Sequence, residues 1–132
     1  IDFGKKRTGI SISDYNKVLS FPLETIDTDS LIEFLKELSR KENIEKIIIG
    51  KPLKLNNVVH DLEKDIIDLI KSLNKYLPDI SIERIDERYT SKISKKIIHQ
   101  LHSKKKIRMD KSIIDKISAS LILESYLIKM HK

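Results

Sequence analysis

IDFGKKRTGISISD, residues 1–14, places one carboxylate, Asp2, two glycines and three consecutive cations, Lys5, Lys6 and Arg7, within nine residues. From Thr8 to Ser13 the pattern alternates, with Ile10 and Ile12 on one side and Gly9, Ser11 and Ser13 on the other. That is the period of a strand. Ile1-Asp2-Phe3 reads as the end of an earlier strand, stopped by Gly4. An acid at a strand end beside a cationic turn has two readings. One is a surface ion pair of Asp2 with Lys6 or Arg7. The other is a metal-holding carboxylate beside a phosphate-gripping loop.

The following elements set the frame. Val18 to Ile26 reads as a third strand, with Pro22 marking an edge or a bulge. Ser30 and Glu33 have capping-box spacing. Leu31, Phe34, Leu35 and Leu38 then follow at helical intervals, giving a helix to about Glu42. Lys46 to Gly50 holds a short apolar run of the buried parallel type. A second helix runs from Val58 to Leu77 and carries Leu62, Ile66, Leu69, Ile70 and Leu73. Ile80 to Ile85 is the fifth strand. Two more helices, Thr90 to about His102 and Asp110 to His131, flank the basic loop Ser103-Lys104-Lys105-Lys106. A three-stranded meander followed by alternating helices and strands predicts an α/β fold, a mixed sheet of five strands with helices on both faces. In such sheets, sites gather at the carboxyl ends of the parallel strands. That rule selects Asp2-Phe3-Gly4, Gly50-Lys51-Pro52-Leu53 and Asp86-Glu87-Arg88.

Composition narrows the class. The 132 residues suit one domain, here taken as 1–132, and no repeat or linker divides them. Charged residues are 35% and hydrophobic ones 39%, so the chain can build a core and is not of disordered composition. No apolar run approaches the ~20 residues that cross a bilayer, so no membrane partner is expected. Cysteine is absent, which excludes a disulfide framework, a thiolate zinc site and a thiol nucleophile, and is compatible with the cytoplasm. The net charge of +6 favours polyanionic partners, although local charge placement says more than the total. The four histidines share no metal-ligand spacing with acids, no Walker loop or dinucleotide fingerprint is present, and no aromatic stacking platform is apparent.

The three strand-end motifs carry a resemblance. Asp2-Phe3-Gly4 with Lys6-Arg7, Gly9 and Ser13-Asp14, then Gly50-Lys51-Pro52-Leu53, then Asp86-Glu87-Arg88-Tyr89-Thr90-Ser91, then Asp115 to Ser120 with Leu123-Glu124-Ser125-Tyr126-Leu127, resemble the YqgF/RuvX family of pre-16S rRNA nucleases. The match runs in order over nearly the whole chain. It implies an RNase H-like fold related to Holliday junction resolvases. Lys51, where the family usually has an apolar residue, the glycine-free loop Lys54-Leu55-Asn56-Asn57, and Ser118, where the family often has Ala, depart from the pattern. The family has several residues before its Asp, so a natural beginning upstream of Ile1 is expected.

What the resemblance implies chemically is phosphodiester hydrolysis with Mg²⁺ or Mn²⁺. Two cations ~4 Å apart need hard oxygen ligands. The acids chosen for catalysis and metal binding are Asp2, Glu87 and Asp115. Asp2 and Glu87 end strands that can be neighbours. Asp115 lies on a mostly apolar stripe with Ala119, Ile122 and Tyr126, where an unpaired carboxylate is costly. Lys6 and Arg7, with Lys5, are expected to neutralise backbone phosphates, and Arg88 to do the same from the next turn. Thr90 and Ser91 fit a helix N-terminus that favours an anion. Lys104 to Lys106, with Arg108, form a candidate phosphate-gripping loop.

Plainer readings stand beside these. Glu87 could pair with Arg88, and Asp86 competes with Glu87 for the same role. Ser112 and Asp115 have capping-box spacing, so Asp115 could simply cap its helix. Thr90 or Ser91 could be an ordinary N-cap, and the lysine run a solvated loop. The expected function is a cytoplasmic, metal-dependent nuclease acting at the 5′ end of precursor 16S rRNA, with ribosomal particles as further partners. The rivals are a structure-selective DNA nuclease of the Holliday junction type and a catalytically silent RNA- or ribosome-binding module.

Overall fold

The structure, a computed structural model, describes residues 1–52, 57–86, 96, 97, 99, 100 and 111–132. Two pairs of strands form its framework. Strands β1 (Arg7–Ser13) and β2 (Ser20–Asp27) make an antiparallel hairpin. Strands β3 (Lys46–Gly50) and β4 (Ser81–Ile85) run parallel. Helices α1 (Leu31–Lys41) and α2 (Asn57–Tyr76) lie between them in sequence, and α3 (Lys111–Met130) comes last. The helix expected from Thr90 is seen at Lys96, Ile97, His99 and Gln100, which are helical; its remaining positions lie outside the described residues.

The strand expected at Ile1–Phe3 is not one of the four strands. Ile1 and Asp2 instead bridge the two pairs. Asp2 exchanges two hydrogen bonds with Gly9, N to O at 2.9 Å and O to N at 3.0 Å. On the other side, the Ile1 nitrogen donates to the Ile48 carbonyl at 2.7 Å, and the Gly50 N–H donates to the Ile1 carbonyl at 3.2 Å. The first residues therefore pair antiparallel to β1 and parallel to β3.

Alternation along each strand decides what packs where. Ile10 of β1 and Ile47 and Ile49 of β3 join Leu31 and Leu35 of α1 and Ile66, Leu69 and Leu73 of α2 in one buried cluster. Ile48 points the other way, into a second cluster with Ile85, Tyr126 and Leu127. The Ile47-Ile48-Ile49 run is apolar because both of its faces are covered. Pro22 sits where the sequence placed a disturbance. Ile10 pairs with Glu24 and Ser11 with Pro22, so Leu23 is the extra residue of a bulge.

The small side of β1 is the docking face for α3. Ser11 Oγ donates to the Ala119 carbonyl at 2.8 Å, Ser20 Oγ to the Ser120 carbonyl at 2.8 Å, and Thr25 Oγ1 to the Ser112 carbonyl. A helix carbonyl has a second lone pair for such a bond. Gly9 permits the closest approach. A Cβ there would lie 2.0 Å from the Asp115 carbonyl oxygen, which is backbone and has nowhere to go. At Gly50 a Cβ would meet Ile122 Cδ1 at 2.9 Å, the far end of a flexible side chain.

Two local expectations need comment. The Ser30–Glu33 capping box does not form. A 3₁₀ turn, Thr28–Ser30, leads into α1, and Ser30 has φ −95° and ψ 3°, away from the extended backbone that aims a capping side chain. Glu33 pairs with Lys36 at 3.2 Å instead. Asp14, within the family motif, closes the β1–β2 turn. Its Oδ1 accepts the Val18 and Leu19 amides at 2.7 and 2.8 Å, while Lys17 takes a left-handed φ of 58°. The Leu19 amide, then that of Val18, holds the Asp14 carboxyl below its ordinary 3.8.

Two outcomes follow for stability. Gly9→Ala is expected to cost about 3 kcal/mol or more, because helix backbone must move, and Gly50→Ala about 1 kcal/mol or less. Urea denaturation of both variants measures this, and equal losses would refute the tight approach at Gly9. Asp14, with its pKa lowered on folding, adds stability that is complete above 3.8 and lost as the pH falls through its depressed value. The stability gap between wild type and Asp14→Asn should therefore narrow in acid. Thermal melts from neutral pH down to about pH 2 would show it; a gap independent of pH would count against this role.

Candidate nucleic-acid cleavage site

The carboxyl ends of the parallel strands bring the sequence motifs to one edge. The Gly50 N–H bond to Ile1 sets Asp2 beside the end of β3. Gly50 pairs with Ile85 of β4, and the Lys51 N–H continues the ladder to the Ile85 carbonyl at 3.0 Å. Asp86 follows at once, and Lys51 Nζ stands 3.8 Å from its Oδ2. From the other side, Gly9 is at once the pairing partner of Asp2 and the residue on which the Asp115 backbone rests. Asp2 and Asp115 therefore flank a single glycine.

Ser112 and Asp115 both lie within helix α3 as described, Lys111–Met130. The Asp115 Oδ2 accepts a hydrogen bond from Arg7 Nε at 2.9 Å. The carboxylate is only 15% exposed, whereas the Arg7 side chain is 42% exposed. Arg7, one of the two cations that the plainer reading offers Asp2, directs its Nε to Asp115.

The cationic turn is well defined. A Cβ at Gly4 would lie 2.4 Å from the Arg7 carbonyl oxygen, so the turn folds tightly on itself. Thr28, at the start of the 3₁₀ turn, donates its hydroxyl to the Gly4 carbonyl at 2.6 Å and its N–H to the Lys6 carbonyl at 2.9 Å. Lys6 is exposed. Lys5 lies 3.9 Å from Asp61 on α2, in a pair exposed on both sides.

Sequence reading passed over Thr28 and over Arg84. Arg84 grips Glu63 of α2 with two bonds, 2.7 and 3.1 Å, and reaches the Ile49 and Gly50 carbonyls at 3.3 and 3.4 Å. Its hydrogen bond lowers the Glu63 pKa. Nothing in the pattern flags Thr28, which reads as part of a polar connection. Arg84 carried a signal, a cation two residues before the Asp86-Glu87-Arg88 motif.

Glu87, Arg88, Thr90 and Ser91 lie outside the described residues, as do His102 and the cations Lys104 to Lys106 and Arg108. His131 is remote from the edge. Its Nε2 lies 2.8 Å from the Lys17 carbonyl, and at 1.5 Å per residue it sits about 24 Å along α3 from Asp115. Asp2 and Asp115 are the candidate acids that lie within the described residues. Among the described residues, no group of three or more His, Cys, Asp or Glu side chains surrounds a cation position. Two carboxylates still fit Mg²⁺, which keeps several waters and takes substrate phosphate oxygens to complete its shell.

Comparison with known proteins assigns this arrangement to a lineage. The family model "RuvX: Holliday junction resolvase" matches residues 1–129. A Bacteroides fragilis protein named "Putative pre-16S rRNA nuclease" is 42% identical over 127 residues, 96% of this chain and 92% of the relative. Proteins of the same name from Phocaeicola vulgatus and Flavobacterium psychrophilum are 39% identical over 127 residues (96% of this chain, 91% of theirs) and 37% identical over 129 residues (98% and 94%). With a family model matched over residues 1–129 and relatives about 40% identical over nearly the full length, the chain belongs to the RuvX family of nucleases.

Proposed function

We propose that the protein hydrolyses phosphodiester bonds in the 5′ region of precursor 16S rRNA, in the cytoplasm, using Mg²⁺ or Mn²⁺ held by Asp2, Asp115 and Glu87. The observation that carries this reading is the convergence of Asp2 and Asp115 on Gly9. The family supports an RNase H-like sheet, in which Ile1–Asp2 belongs to a fifth, central strand between β1 and β3, with α3 on one face and α1 and α2 on the other. The relatives' name supports the RNA substrate and, through it, ribosomal particles as partners. The family model's description favours a second substrate, branched DNA.

Bound cations would supply Lewis acidity toward the scissile phosphate and the attacking water. The chain's own residues do the rest. Asp115 is held on a helix whose backbone is wedged against Gly9, so its carboxylate is pre-placed. Arg7 holds that carboxylate while its partly exposed guanidinium keeps N–H groups available to a phosphate. Lys6 and, from the next turn, Arg88 neutralise backbone charge without reading sequence. Glu87 is assigned as the third acid, with Asp86, which Lys51 Nζ approaches to 3.8 Å, as its competitor for that role. Thr90 and Ser91 are assigned to phosphate contact at the following helix.

The direct test is cleavage of matched RNA and DNA substrates with Mg²⁺ or Mn²⁺. Asp2→Asn and Asp115→Asn should each cut the rate by orders of magnitude while leaving the fold and nucleic-acid binding in place. Wild-type rates in either variant would remove that acid from the site. Binding should be steeply salt-dependent, each phosphate contact adding roughly 0.7 to the slope of log K against log salt on single strands. Changing Lys6 and Arg7 together to Ala should lower both slope and affinity. An unchanged slope would show that these cations face away from the substrate.

A further inference from the structure

The turn that carries Lys5, Lys6 and Arg7 is tied down by a chain of hydroxyls that begins in the interior. Thr8 is fully buried, and its Oγ1 lies 2.9 Å from Thr28 Oγ1. Thr28 Oγ1 donates to the Gly4 carbonyl at 2.6 Å. A hydroxyl has one proton to give. The Thr28 proton is committed to Gly4, so Thr8 is the donor in the pair of threonines. The Thr28 N–H adds a separate bond to the Lys6 carbonyl at 2.9 Å. One residue thus takes hold of the turn at two main-chain points, on either side of Lys5. The base of the loop is closed by the exchange between Asp2 and Gly9. Its far end delivers Arg7 to Asp115.

We infer that Thr28 is a positioning residue of the cleavage site. Its hydroxyl, oriented by Thr8, and its amide fix the cationic turn in the geometry that receives substrate phosphate. The inference rests on the nucleic-acid reading for its functional half, and on the hydrogen bonds alone for its structural half. A long exposed cation loses entropy when it meets a phosphate, and a turn that is already ordered spares the backbone share of that loss. Thr28 also begins the 3₁₀ turn before α1, so a purely structural role is the alternative to exclude.

Thr28→Val removes the hydroxyl at nearly constant volume and keeps the amide. Thr28→Ser keeps both groups. Two measurements on the full chain separate the halves. The first is hydrogen exchange of the amide at position 28, which the Lys6 carbonyl protects. The second is the affinity for a labelled single-stranded RNA, with its salt dependence, read by fluorescence anisotropy so that cleavage is not required. In Thr28→Val the exchange should quicken about tenfold and the affinity fall about tenfold, the effect of one hydrogen bond. The slope against salt should become shallower, and Thr28→Ser should restore wild-type values. Unchanged exchange in Thr28→Val would overturn the clamp whatever the activity. Faster exchange with affinity and slope intact would overturn the positioning role. Equal loss in Thr28→Ser and Thr28→Val would mark a packing role and overturn it too. RNA binding by a wild-type protein that cleaves nothing would refute the nuclease reading and overturn Thr28 as a residue of a cleavage site, leaving only its hold on an RNA-binding turn.

Discussion

Helix α3 rests its backbone on Gly9, and the rest of the arrangement depends on that contact. A single methyl group at this position would stand 2.0 Å from the Asp115 carbonyl oxygen. Because the helix comes so close, Ser11, Ser20 and Thr25 can reach its carbonyls with short side chains. Ser118 and Ala119, both fully buried, keep the helix side of the contact equally thin. The same glycine exchanges two hydrogen bonds with Asp2. One residue without a side chain therefore sits between the backbone of a strand-end acid and the backbone of a helix acid.

The charges around this edge are paired, two of the pairs loosely and two, Arg7–Asp115 and Arg84–Glu63, through hydrogen bonds. Lys51 with Asp86 and Lys5 with Asp61 stand at 3.8 and 3.9 Å, beyond hydrogen-bonding distance, the first pair partly and the second well exposed. Such pairs are worth less than about 1 kcal/mol each. The bidentate Arg84–Glu63 pair differs. It is better buried, is anchored to the Ile49 and Gly50 carbonyls, and fastens α2 to the end of β3. The edge thus combines a fixed scaffold with loosely paired surface charge.

Much of the fold was legible in the sequence because its signals are local and periodic. The Ile47-Ile48-Ile49 run announced a strand covered on both faces, and the two core clusters divide it as alternation requires. Pro22 announced a bulge on the outer strand of the hairpin. The split of β1 into an isoleucine side and a Gly9-Ser11-Ser13 side was visible too. That the small side would be the helix dock was not, because smallness marks close approach only once a partner is known. The site was legible in part. Arg7 and Asp115, both marked as candidates, meet in a hydrogen bond, and the Asp2 backbone pairs with Gly9 beside them, while Glu87, Arg88, Thr90 and Ser91 lie outside the described residues. The Ser30–Glu33 capping box failed because four-residue spacing says nothing of where the helix starts, and a 3₁₀ lead-in at Ser30 removes the geometry it needs. Thr28 was silent because its bonds go to main chain more than 20 residues away.

The central claim is that Asp2 and Asp115 form one divalent-cation site across Gly9. Calorimetric titration of Mn²⁺ into the wild-type protein, Asp2→Asn, Asp115→Asn and the double variant tests it without any nucleic acid. A shared site predicts that each single substitution removes nearly as much affinity as the pair, a strong departure from additivity. Losses that simply add, or Mn²⁺ affinity that neither substitution changes, would contradict it.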